Sequence, residues 1–442
     1  MVLPCPVPSC PVAPRSDPAA LPRAPRILFA AEAVALAHVT RPLLLARWAA
    51  EAGYQVSFAC GEAYADIVRS EGFTPVPLPT VTPELFRQRV NRGDDFCTEE
   101  ELSGHIDAES RLLARLQPDL IVSDLRLSLG ISAALHHRPL LSLLNAYWSV
   151  GAESSFPPPR DFLPAVPWTL RRALFSCLRP LTFKVCARSM NRIRARYGLP
   201  ALHDFRRHYA PGYWCAYPDL PGWVPLRNLP AGHFYLGPLD WAPRDARVLD
   251  PEELGRRRPL VYVSMGSTGP SDVLHCILSS LLELECDAVV SGVDPACWNE
   301  IRRKLPKVEQ RCVADACFAP EKVLKRAALM VCHGGSGTIY QGLRAGVPVL
   351  SVTGNADQGL AAAAAARQGA GLALHIAQAT RSRVMSCVAT LLTEEHFSIA
   401  ARRIARAMAA HDTRAHWLEF LKRELPLPSG QRSLAMHSGG AA

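Results

Sequence analysis

The sequence predicts an α/β protein built from two parallel-sheet domains. Three patterns carry that expectation: a strand-helix-strand unit near the start, its recurrence further on, and glycine loops that directly follow apolar strands in the second half. The chain has 442 residues, enough for two or three domains. Its hydrophobic fraction of 49% is enough to fill more than one core.

The elements follow in order. "RILFA", Arg26 to Ala30, reads as a short buried strand. Leu43 to Ala52 is apolar at helical spacing, and Gly53 suits the helix stop. Tyr54 to Ala59 is the next strand. Strand, helix and strand in succession imply parallel pairing. The pattern returns with strands at Leu120 to Ser123 and Leu140 to Leu144. Proline-broken chain follows, then "TLRRALFSCLRPLTFKVCARSMNRIRARYGLP", helical, apolar and almost without acids. The region 169–207 is expected to meet an anionic or lipid-like surface; a plain solvated helix face is the alternative. "YLGPLDWAPRDARVLDPEELGRRRP" has the turns and charges of a linker. "LVYVSMGSTG" then starts afresh as strand plus glycine loop. Ala288 to Ser291, Leu329 to Cys332 and Val347 to Val352 supply further strands. A late helix, His411 to Arg423, could pack on either domain.

The expected boundaries are 1–24 for a disordered proline-rich leader, 25–240 for the first domain and 241–257 for the linker. The second domain with its C-terminal helix takes 258–427, and 428–442 is a disordered tail. The leader lacks the unbroken apolar core of a signal peptide, and no apolar run approaches the ~20 residues of a membrane helix. The 14 cysteines contain no C-x-x-C pair, which suits reduced thiols in a cytoplasmic protein. The net charge of +9 favours acidic ligands or surfaces. Nucleic acid is not expected, because no aromatic or helical reading element accompanies the basic residues.

Ligands of open α/β sheets sit beyond the carboxyl ends of the strands. Two glycine loops stand there, Ser264 to Gly269 and His333 to Thr338. Glycines let backbone approach a ligand, and free N–H groups at a helix start favour an anion, so a phosphate is expected. A Walker loop is excluded because no lysine follows the glycines. A dinucleotide fingerprint fails because Tyr340 stands where its third glycine belongs. Asp357, 20 residues beyond Gly337, mimics the ribose-binding acid of that fingerprint but follows its strand by several loop residues.

"FAPEKVLKRAALMVCHGGSGTIYQGLRAGVPVLSVTGNADQ", Phe318 to Gln358, resembles the donor-binding signature of the UDP-glycosyltransferase superfamily, including its bacterial macrolide and glycopeptide enzymes. "LVYVSMGSTG", "HFYLGPLDW" and, more weakly, "ALAHVTRPLLLARWAAEAGYQVSF" and "PDLIVSD" extend the resemblance over roughly 26–420. It implies the GT-B fold, two Rossmann-like domains facing across a cleft, and transfer of a sugar from a UDP- or TDP-sugar to a hydroxyl. The acceptor would be a small, apolar molecule such as a natural product or lipid. The nucleotide sugar is a co-substrate, no cofactor or metal is expected, and peripheral contact with a membrane is a further expectation.

By the same resemblance, His333 contacts the donor diphosphate, Gly335, Gly337 and Thr338 form the phosphate loop, and Thr268 lies near phosphate. Asp357 and Gln358 hold sugar hydroxyls. His38 is the catalytic base and Asp124 its orienting acid. Four departures stand out. Gln341 replaces the glutamate that often holds a UDP ribose, which leaves UDP against TDP open. Glu321 follows Pro320 where relatives read Pro-Gln, no proline precedes Asp357-Gln358, and Ala37 replaces the glycine before the base. Two alternatives are a nucleotide-binding auxiliary protein and a sugar-nucleotide epimerase. The presence of His38, Asp124, His333 and Asp357 together argues against the first. Tyr147, Trp148 and Phe156 are a candidate apolar wall for the acceptor.

Overall fold

The computed structural model describes residues 23–95, 97–158, 162–243, 246–250, 257–266 and 271–428. Most of the proline-rich leader, most of the tail and Thr268 lie outside the described residues. The first sheet has seven strands: β1 (Arg26–Ala31), β2 (Gln55–Cys60), β3 (Pro75–Pro77), β4 (Leu120–Asp124), β5 (Leu140–Leu143), β6 (Trp214–Tyr217) and β7 (His233–Tyr235). The second has six: β8 (Leu260–Ser264), β9 (Asp287–Ser291), β10 (Cys312–Asp315), β11 (Leu329–Cys332), β12 (Val349–Thr353) and β13 (Gly371–His375). Their orders are β3-β2-β1-β4-β5-β6-β7 and β10-β9-β8-β11-β12-β13. Every pairing is parallel.

This order makes the site predictable. Each sheet winds one way from its first strand, then returns and winds the other way. The crevice opens where the direction reverses, between β1 and β4 in one sheet and between β8 and β11 in the other. The register aligns Ala31 with Asp124 across the first crevice and Ser264 with Cys332 across the second. His38 follows β1 and His333 follows β11, so both histidines sit beside a crevice.

Strands such as Ile27–Ala31 and Leu329–Cys332 are buried on both faces, which explains their continuous apolar runs. The first helix differs from the sequence expectation. It spans Leu36–Glu51, not Leu43 onward, and carries Pro42 inside it. Proline has no N–H for the carbonyl four residues back, so Pro42 leaves the His38 carbonyl without its helical partner. The late helix, Thr413–Glu424, was grouped by sequence with the second domain. It packs on the first instead: Trp417 is fully buried against Phe29, and its Nε1 donates to Leu45 O at 3.0 Å. The cysteines among the described residues are free thiols. No helix among those residues is long and apolar enough to cross a membrane.

Two buried histidines make stability pH-dependent. Burial pushes His105 and His208 down to about 4. Between that value and the ordinary 6.5, the unfolded chain binds protons that the fold does not. Their contribution is therefore complete above about pH 6.5 and is lost as the pH falls to about 4, at about 1.4 kcal/mol per unit for each. The thermal midpoint should fall when neutral buffer is replaced by mildly acidic buffer; a midpoint that rises would contradict this.

Candidate active site

His38 lies in the first turn of the helix Leu36–Glu51, and Asp124 is the last residue of β4. The structure brings them together: His38 Nδ1 stands 2.7 Å from Asp124 Oδ1. A carboxylate at that distance requires the proton on Nδ1, which leaves Nε2 free to accept one. The imidazole is partly exposed while Asp124 is buried, 21% against 1%. A group that meets substrate must reach the crevice; one that only orients it need not.

Arg41, one turn beyond His38, was not singled out by sequence. It grips Asp124 with both prongs, Nε to Oδ2 and Nη2 to Oδ1, each at 2.8 Å. Its Nη2 also stands 3.2 Å from His38 Nδ1. Burial disfavours the Arg41 cation, but the charge and hydrogen bonds of Asp124 more than offset that, so its pKa stays above the ordinary arginine value. The network continues through Arg41 Nη1 to Asn145 Oδ1 at 2.6 Å and Asn145 Nδ2 to Asp219 Oδ1 at 3.2 Å. Asp219 also accepts from Ala146 N at 2.6 Å and from Tyr340 OH at 2.8 Å. Burial raises the Asp219 pKa, and these hydrogen bonds oppose the rise. Tyr340 belongs to the helix Ser336–Arg344 of the second domain, so a continuous buried chain joins the His38–Asp124 pair to that helix.

A second buried cluster lies nearby. Arg126, two residues after β4, donates to Glu109 Oε1 at 2.6 Å, Glu32 Oε2 at 3.1 Å and Pro79 O at 2.9 Å. Glu32 follows β1 directly. Its pKa is raised, because desolvation outweighs the nearby Arg126 charge.

On the second sheet, Gly335 caps the helix Ser336–Arg344, so the amides of Ser336, Gly337 and Thr338 form its open first turn. That arrangement suits an anion. His333 is packed between two glycines. A Cβ at Gly266 would stand 2.7 Å from its Cε1, and one at Gly335 would stand 2.7 Å from its Nε2. Gly266 also has a φ of +63°. Gly337 is less constrained, with its nearest neighbour, Leu239 O, at 4.0 Å. His333 Nδ1 is buried without a hydrogen-bond partner. Burial lowers the His333 pKa, opposed by the Ser264 backbone and the charge of Asp357. The ring is therefore held rigidly beside the open first turn of the helix Ser336–Arg344.

The remaining candidates already have protein partners. Asp357 Oδ1 accepts from Tyr147 OH at 3.1 Å and Trp148 Nε1 at 2.8 Å, both from the first domain. Gln358 Oε1 accepts from Gly354 N at 2.8 Å, and Asn355 caps the helix by accepting from Gln358 N at 3.0 Å. Gln341 Nε2 donates to Trp241 O at 3.1 Å. Tyr147 and Trp148, expected as an apolar wall, thus turn polar tips to the second domain while their rings stay packed. Trp148 meets Phe156 and Tyr209 at ring distances of 5.2 and 5.1 Å. These contacts place the ligand edges of the two sheets face to face.

Known proteins resemble this chain in sequence and in fold. Residues 278–420 match the family described as Erythromycin biosynthesis protein CIII-like, C-terminal domain. The chain is 35% identical over 402 residues to a PGL/p-HBAD biosynthesis glycosyltransferase of Mycobacterium tuberculosis, covering 89% of this chain and 91% of the relative. It is 35% identical over 401 residues to a PGL/p-HBAD biosynthesis rhamnosyltransferase of Mycobacterium bovis, covering 89% and 86%. Spinosyn Rhamnosyltransferase SpnG, solved with thymidine diphosphate, superposes with a TM-score of 0.62 at 18% identity, covering 90% of this chain and all of that one.

Proposed function

Because this chain belongs to the glycosyltransferases of the UDP-glycosyltransferase superfamily and has their GT-B fold, we propose that it transfers a deoxysugar of the rhamnose type. The donor is a thymidine diphosphate sugar and the acceptor a hydroxyl of an apolar, lipid-like molecule. The reaction inverts the anomeric centre and needs no metal. The observation that carries this reading is the 2.7 Å contact of His38 with Asp124 at the crevice of one sheet, facing the His333 loop of the other.

His38 Nε2 takes the proton of the acceptor hydroxyl as its oxygen attacks the anomeric carbon. The bond from that carbon to the diphosphate oxygen breaks, and its electrons leave with the nucleotide. The amides at the start of the helix Ser336–Arg344, with His333 beside them, meet the growing negative charge. Backbone amides would take the electrostatic role that a metal could otherwise fill. Gln341 favours thymidine over uridine. Its amide N–H is engaged with Trp241 O, and it lacks the carboxylate that would accept from a ribose 2′-hydroxyl. The names of the relatives support the rhamnose-type sugar, and the thymidine diphosphate of the solved neighbour supports the nucleotide. A cytoplasmic protein reaching its acceptor by peripheral contact with a lipid surface belongs to the same reading.

The test is incubation with TDP-rhamnose and UDP-glucose over a set of phenol and alcohol acceptors, with mass spectrometry and NMR of the product. The expected result is a glycoside of inverted configuration, formed equally with or without chelator. A retained configuration, or activity abolished by chelator and restored by Mn²⁺, would overturn the mechanism. Conversion of the donor to an epimer with no glycoside would point to an epimerase, and thymidine diphosphate binding without turnover to an auxiliary protein.

A further inference from the structure

The helix Trp168–Arg196 is buried on one side through Phe175, Ala187, Met190 and Ile193. Its opposite side is not polar. Leu170, Leu174, Leu178, Leu181 and Val185 are 51, 37, 44, 58 and 47% exposed. Their spacing of four, four, three and four residues places them on one narrow stripe, roughly 22 Å long at 1.5 Å per residue. No other element among the described residues exposes more than one large hydrophobic side chain. The same stripe continues into Arg188, Arg192 and Arg196, all exposed, with Lys184 exposed on its flank. The 29-residue helix carries eight basic residues and no acid.

We propose that this stripe docks the protein on an anionic lipid bilayer, with the leucines in the interfacial layer and the arginines on lipid phosphates. Charge complementarity selects the occupant. A helix with only positive charge along an apolar face matches a layer of apolar chains under anionic headgroups. A protein partner fits less well: the stripe holds no aromatic anchor, is rich in leucine and is flanked by lysine and arginine. Arg192 and Arg196 pair with Glu99, which leaves Lys184 and Arg188 as the cations beside the leucines outside that pairing.

The position of the helix gives the contact a purpose, and only that purpose rests on the glycosyltransferase reading. Phe183, on its inner side, packs on Phe156 at a ring distance of 5.2 Å, and Phe156 packs on Trp148, the residue that holds Asp357. At the helix start, Trp168 stacks on His375 of the second domain at 3.8 Å. The lipid-facing stripe is thus one helix thickness from the cleft, and a membrane-dissolved acceptor would meet the protein beside its own site.

Flotation of the full-length protein with phosphatidylcholine vesicles, with and without phosphatidylglycerol, tests the proposal. The protein should float with the anionic vesicles at low salt and lose most of that binding at high salt or without phosphatidylglycerol. Leu174→Gln/Leu178→Gln/Leu181→Gln should weaken vesicle binding by about tenfold or more. Lys184→Gln/Arg188→Gln should flatten its salt dependence, and reads the same surface should the leucine variant misfold. Both variants should titrate thymidine diphosphate as the parent does, which separates a failed docking surface from a failed donor site. A parent that stays at the bottom of the gradient, a leucine variant that floats as well as the parent, or a dimer that the leucine substitutions split would each overturn the proposal.

Discussion

His38→Ala should lower transfer to an alcohol acceptor by about 10² to 10⁴, the usual worth of a positioned general base. Affinity for thymidine diphosphate should stay near that of the parent, since the anion-binding helix start lies on the other sheet. An acidic acceptor such as a nitrophenol should recover part of the loss, because it needs less help to release its proton. Single-turnover rates with the two acceptor classes, measured beside nucleotide titration, read both effects. Full turnover of the variant with an alcohol would remove His38 from the mechanism. Asp124→Asn should be more severe than a loss of orientation alone. The carboxylate also carries the Arg41 fork, and an amide offers that fork only one oxygen.

Arg41→Ala should have the largest effect on stability. The guanidinium is buried, 6% exposed, and its partner Asp124 is 1% exposed. Removing one member of such a pair leaves a charge in a poorly hydrated site, at a cost of about 3–5 kcal/mol. Arg41→Lys should recover only part of this, because an ammonium cannot span both carboxylate oxygens. Activity should fall with stability, since Asp124 would lose the group that fixes it beside His38. Urea denaturation followed by fluorescence gives the difference directly. A change below about 1 kcal/mol would mean that Asp124 is better hydrated than its burial implies.

Much of this architecture was legible because a parallel sheet puts its site in one kind of place. Apolar runs located the strands, and whatever followed β1, β4, β8 and β11 had to stand at a crevice. The His333 loop is legible that way, while His38 and Asp124 take their roles from the family resemblance. Arg41 was within reach of the same reasoning, as it lies one helical turn after His38. The apolar spacing marked a helix only from Leu43, whereas the helix begins at Leu36 and tolerates Pro42, so Arg41 fell outside it. Asn145, Asp219 and Tyr340 gave no signal, because partners separated by 74 and 121 residues meet only through the fold. Tyr147 and Trp148 were read by their rings, while the phenol and indole N–H decide their role. The sequence showed a basic helix; only the packing of Phe175 and Ile193 revealed which leucines were left outside.

On the proposed function, the grip of Tyr147 and Trp148 on Asp357 bears on how the cleft would sort its sugars. A ligand-free pocket with an idle carboxylate would welcome any hydroxyl. Here Oδ1 already accepts from a phenol and an indole, so on the proposed function a sugar hydroxyl that takes Oδ1 displaces one of them and gains little by the swap. What differs between sugars is the wreckage left by the exchange. A sugar whose remaining hydroxyls can rehouse both evicted donors leaves nothing stranded, and one that cannot leaves a buried N–H or O–H bare. Discrimination by penalty of this kind is steeper than discrimination by reward. On the proposed function, the diphosphate would supply most of the affinity while two aromatic side chains from the opposite domain act as the arbiter.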